Sequence, residues 1–136
     1  MALSDSNPWA RRDAARELYV PDWDIREVVP ALRRLLADQD DQVRLDAAIT
    51  VSGVGDQTAK ATLVEFANSA KYVNWRTSAD AALARLRTLE GEAAMCRYLK
   101  DQEHAAWAAG WLAEMGTTSS ILLLLRARRW ASEVVP

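Results

Sequence analysis

The motif Arg-x-x-Ala-Ala recurs along this chain at a nearly constant interval, and few architectures accommodate such a recurrence. It appears as Arg11 with Ala14 and Ala15, as Arg44 with Ala47 and Ala48, and as Arg76 with Ala79 and Asp80. A fourth copy has Ala105 in the arginine place, followed by Ala108 and Ala109. The intervals are 33, 32 and 29 residues. Periods of this size belong to stacked supersecondary units, each too small to bury its apolar face alone. The expectation is an all-α solenoid of about four antiparallel helical hairpins in one domain, with repeats near residues 7–37, 38–69, 70–100 and 101–130.

Local signals place the helix ends. Asn7 precedes Pro8, a cap followed by the position where proline's missing N–H costs nothing. Asp24 with Glu27 comes close to a capping box, and Pro30 is expected to kink the helix that follows or to delay its start. In the second copy Asp40 or Asp41 caps the first helix, and Gly53 and Gly55 end it. Asp56 then opens a helix whose inward face is Ala59, Leu63, Phe66 and Ala67. The third copy is expected to turn at Glu90-Gly91-Glu92. In the fourth, Gly116 ends the first helix, and Thr117 or Ser119 caps a last one through Trp130. No segment reads as a strand.

From Val28 to Asp56 the chain reads Val-Val-Pro-x-Leu, then Leu-x-Asp-x-Asp-x-x-Val-Arg-x-x-Ala-Ala, then Gly-Asp. This pattern resembles the HEAT-repeat superfamily, and most of all its short-period bacterial branch of bilin-lyase-type repeats. The resemblance implies a right-handed stack with first helices outside and second helices lining a concave face. It also implies that Arg11, Arg44 and Arg76 bond turn acids such as Asp22 and Asp56, and that the last repeat acts as a terminal cap.

No reaction can be assembled from the residue inventory. The single histidine, His104, starts a helix without a cysteine partner nearby and is read as a capping or surface residue. The single cysteine, Cys96, excludes an internal disulfide framework and reads as a packed or half-exposed thiol in a reducing compartment. Asp38, Asp40 and Asp41 lack the spacing and distal glutamate of a calcium loop. Gly53-Val54-Gly55 lacks the Gly-Lys-Ser/Thr of a phosphate loop. The expectation is a non-enzymatic protein without cofactor or metal. A polar N-terminus and a longest aliphatic run of five residues, Ile121 to Leu125, point to a cytoplasmic protein with no membrane span, which takes about 20.

Two features bear on binding. Six tryptophans is a high number for 136 residues. Trp9, Trp75 and Trp107 occupy related places in first helices and are read as packing, whereas Trp23 and Trp130 are the candidate contact residues. Charge also separates by helix. Taking second helices as 26–37, 57–68, 92–100 and 119–130, they carry nine basic and three acidic side chains, a net +6 in a chain of net −2. The apolar stripes leave Arg33, Arg34, Lys60, Arg97, Arg126 and Arg129 pointing away from the core. The leading reading is a protein–protein interaction module, an adaptor or an inhibitor or immunity-type scaffold, facing an acidic partner. Nucleic-acid binding on the same basic face is the alternative. Bilin-lyase-like chemistry is a second alternative, carried only by the resemblance.

Overall fold

The computed structural model describes residues 2–18 and 25–134, without the side chains of 25, 26, 127 and 130–134. Eight α-helices follow a 3-10 turn at the N-terminus: α1 (Pro8–Glu17), α2 (Ile25–Leu35), α3 (Asp41–Gly53), α4 (Lys60–Asn68), α5 (Arg76–Arg85), α6 (Leu89–Tyr98), α7 (Ala105–Met115) and α8 (Thr118–Val134). There is no strand among the described residues. The helices form four successive pairs, giving the all-α HEAT-like solenoid.

The caps explain where the helices start. The Asn7 side chain accepts from the Trp9 N–H ahead of Pro8. Asp40 takes the cap of α3 and accepts from the N–H groups of Gln42 and Val43. Asp56 accepts from Thr58 and opens the 3-10 turn that leads into α4. Thr117 accepts from the Ser120 N–H at the start of α8. Gly55 and Gly116 adopt left-handed angles, with φ of 77° and 60°, where a side chain would be strained. Asp24 lies outside the described residues. α2 is assigned as one helix through Pro30, so proline neither breaks it nor delays its start, although it cannot donate the hydrogen bond of its own position.

The third pair departs from expectation. Its turn is not at Glu90-Gly91-Glu92 but at Leu86 to Thr88, where Arg87 takes a left-handed φ of 55°. Thr88 caps α6, accepting from the Gly91 N–H and donating to the Leu83 carbonyl. Gly91 is buried inside α6 for a different reason: a Cβ there would stand 2.3–2.6 Å from backbone atoms of Leu83 and Ala84. The glycine lets α5 and α6 touch backbone to backbone.

First helices make the spine. α3 packs on α1, and α5 packs on α3; α4 and α6 each pack against the first helix of their own and of the following pair, α2 against α3, and α8 against α7. Alanine allows this closeness: Ala15, Ala47, Ala48 and Ala79 are fully buried. The Thr50 hydroxyl crosses from α3 to donate to the Ala15 carbonyl at 2.9 Å. One apolar core runs from Leu3 to Leu86 and includes Val43, Val51, Leu63, Phe66 and Leu83. A second is built from Ala84, Ala94, Met95, Ala108, Leu112 and Met115, with Leu124 against it. Burying each such Leu or Phe contributes about 1.5–3 kcal/mol. Helix α5 is the wall between the two cores.

The fourth pair exposes apolar as well as basic side chains where a capping repeat is expected to be polar. Ile121, Leu122 and Leu125 of α8 are 49%, 53% and 56% exposed. Among the described residues no helix is long and apolar enough to cross a membrane.

Candidate functional site

Two of the three motif arginines, Arg11 and Arg44, bond acids, and Asp56 is not among them. Arg11 makes a two-pronged contact with Asp38, both N–O distances 2.8 Å, and also donates to the Asp5 and Ser6 carbonyls. The Asp38 carboxyl therefore lies below the ordinary carboxylate range, chiefly through the Arg11 hydrogen bond. Arg44 reaches Asp41 at 2.6 Å in its own turn, donates to the Asp38 carbonyl and lies 3.6 Å from Glu65. Lys71 contacts the other oxygen of Asp41 at 2.7 Å, and this bond leads the causes that lower the Asp41 carboxyl. Asp22 lies outside the described residues. Arg12, at a variable position within the motif, ties α1 to α3 through Asp46 at 2.9 Å.

Asp56 belongs to Arg33, at 2.6 Å. Burial pushes its carboxyl up, yet bonds from the Thr58 N–H and hydroxyl and from Arg33 outweigh this and leave it low. Two of the six candidate cations are thus engaged internally, since Lys60 also pairs with Glu90 at 3.1 Å across α4 and α6. Both contacts bridge successive repeats. Arg34, Arg97, Arg126 and Arg129 are exposed, on α2, α6 and α8. Of these, Arg34, Arg97 and Arg126 enter no ion pair among the described residues. The basic surface is accordingly concentrated towards α6 and α8.

Arg97 also lines a groove of about 350 Å³ with Tyr98, Ala67, Asn68 and Arg76. It is lined by the C-terminal ends of α4 and α6 and the first residue of α5. Asp80 of α5 is 1% exposed, and its carboxylate accepts from the Tyr98 hydroxyl at 2.9 Å. Burial pushes the Asp80 carboxyl above its ordinary range against the Tyr98 bond and the charges of Arg97 and Arg76. Asp80 stands where the motif has alanine, and that substitution was the sequence signal for this locality. Arg76 differs from Arg11 and Arg44: its Nε is buried without a hydrogen-bond partner among the described residues.

The aromatic residues divide unevenly. Trp75 stacks on Tyr72 at 5.5 Å and meets Phe66 at 5.9 Å, which is packing between pairs. Trp107 packs against Tyr98 and the second core. Trp9, expected to pack likewise, is 66% exposed, with the Arg12 guanidinium over its ring at 5.3 Å. It sits on the first turn of α1, and among the described residues no α-helix covers it. Trp23 and the side chain of Trp130 lie outside the described residues.

The remaining candidates for chemistry are accounted for by local structure. His104 contacts Asp101 in the turn before α7. Cys96 is half-buried, and burial raises its thiol. Among the described residues no group of three His, Cys, Asp or Glu side chains could hold a metal ion.

A family model described as HEAT repeats matches residues 1–84. The match closes inside α5, where the first apolar core gives way to the second. No curated protein matches the chain.

Proposed function

The chain belongs to the HEAT-repeat family, and from that premise we propose that it is a non-enzymatic adaptor or inhibitor-type scaffold that holds an acidic partner protein on its second-helix surface. HEAT repeats as a class mediate protein interactions and are scaffolds more often than catalysts. The observation that carries the finer reading is the division of the cations: Arg33 and Lys60 face internal acids, while Arg34, Arg97 and Arg126 face solvent. Arg129 and, on sequence grounds, Trp23 and Trp130 complete the proposed contact set. Long-range attraction from such a surface steers an acidic partner and sets its orientation. A nucleic-acid backbone would favour an unbroken basic track, and the two internal ion pairs interrupt this one. The single half-buried thiol suits a reducing compartment such as the cytoplasm.

The test is a tagged pull-down from native lysate, with and without nuclease, read by mass spectrometry. The expected result is one stoichiometric acidic protein retained under both conditions and lost from the Arg97→Gln/Arg126→Gln protein. Recovery of no stoichiometric protein, or of partners that vanish with nuclease, would contradict the proposal.

A further inference from the structure

We infer that the groove between the C-terminal ends of α4 and α6 is an oxyanion site, in which a carboxylate or phosphate group is held between the guanidinium groups of Arg76 and Arg97. The first support is the pattern of the repeats. Arg11 has Asp38, and Arg44 has Asp41 and Glu65. The segment leading into Arg76, Ser69 to Trp75, contains no acid at all. The Nε of Arg76 is buried without an acceptor among the described residues. A buried donor in that state is costly, and an incoming oxygen relieves the cost.

The second support is convergence. Arg97 comes from another helix to line the same groove of about 350 Å³, room enough for an acidic side chain or a phosphate. No carboxylate is among the residues lining it; Asp80, whose charge is felt by Arg97 and Arg76, is buried and engaged by the Tyr98 hydroxyl. Two cations against one committed carboxylate leave the groove positive. Guanidinium forks match the paired oxygens of carboxylate and phosphate, so the chemistry of the ligand is set even though its source is not. The inference deepens the reading of the chain as a protein-binding module, since a partner's acidic side chain is one source; free phosphate is the other.

The experiment is a 1H–15N titration of the intact chain with sodium phosphate, ionic strength held constant with sodium chloride, and in parallel with a short end-capped glutamate peptide. Saturable shifts are expected at the amides of Asn68, Arg76, Arg97 and Tyr98. Affinity should fall about tenfold or more in Arg97→Gln, the loss of one charge-assisted contact, stay unchanged in Arg16→Gln, an exposed site on α1, and rise in Asp80→Asn. Arg97 is exposed, so its variant keeps the test interpretable if Arg76→Gln fails to fold. Tighter binding by the peptide, with displacement of phosphate, assigns the site to a partner's side chain; saturation by phosphate alone assigns it to the free ion. Shifts that grow linearly with both ligands, or saturable shifts unaffected by Arg97→Gln, would overturn the site. A protein that still captures its partner while failing this titration loses the oxyanion site only, and one that binds phosphate but captures no partner loses only the protein-binding reading.

Discussion

The pairs α3/α4 and α7/α8 share one plan and are held together by different means. In α3 the motif is complete, and the helix is buried against neighbours on several sides through Val43, Leu45, Ala47, Ala48 and Val51. Its turn is a charged lattice in which Asp38 and Asp41 gather Arg11, Arg44 and Lys71. In α7 the arginine place holds Ala105, and no such lattice forms among the described residues. The pair rests on Ala108, Leu112 and Met115 with Leu124, and on the Thr117 hydroxyl donating to Glu92 at 2.9 Å. The difference shows what the motif arginine does. Arg11 fixes its turn to the next through Asp38, and Arg44 closes its own turn through Asp41; Ala105 can do neither, and Ile121, Leu122 and Leu125 of α8 are exposed.

The largest expected effects lie in the two cores. Phe66→Ala removes a fully buried ring that touches Tyr72 and Trp75, and should cost about 3–5 kcal/mol in urea unfolding. Leu112→Ala in the second core should cost about 2–5 kcal/mol. If the two cores open separately, hydrogen exchange will show Leu112→Ala releasing the amides of α7 while those of α3 stay protected. Equal loss in both helices would make the stack one cooperative unit and break the comparison. Gly91→Ala drives a methyl into the α5 backbone at the wall between the cores, and a loss of about 1–3 kcal/mol or more is expected.

Acid should act on the turn acids around α3 and on Asp80 of α5 with opposite sign. Asp38, Asp41 and Asp56 have carboxyls held low in the folded chain. Their contribution is present above the ordinary aspartate value of about 3.9 and is lost as pH falls through their lower folded values. Asp80 is held high, so the folded chain takes up that proton sooner than the unfolded one. Its charged form weakens the fold at neutral pH, and mild acidification relieves this. Thermal unfolding followed from about pH 7 to about pH 2 should therefore show Asp80→Asn removing a gain on mild acidification, and Asp38→Asn removing part of the loss below about pH 4. The smallest effect is expected at α8, where Leu125→Gln should stay within about 0.5 kcal/mol of the parent protein, because its side chain faces solvent.

Much of this plan is legible in the residues. The interval of the motif predicts the four pairs, the caps at Asn7, Asp40, Asp56 and Thr117 predict where helices open, and the inward face of α4 follows from its period. The misplaced third turn has a physical reason. Gly91 reads as a turn residue, yet it answers a close approach of two helices, while the left-handed position falls on Arg87, which carries no turn signature. The Arg33–Asp56 and Lys60–Glu90 pairs join residues 23 and 30 apart and depend on how one repeat is set upon the next. Charge counted along helices cannot separate such cations from those facing solvent. Likewise the meeting of Arg76 with Arg97 needs the fold, and only the aspartate in an alanine place hints at it.

The division of the cations is tested most directly by comparing two double variants, Arg33→Gln/Lys60→Gln and Arg97→Gln/Arg126→Gln, for thermal stability and for capture of the acidic partner. The first is expected to unfold at a lower temperature and still retain the partner; the second is expected to keep its unfolding temperature and release it. Retention by the Arg97→Gln/Arg126→Gln protein, with release by the Arg33→Gln/Lys60→Gln protein, would contradict the account.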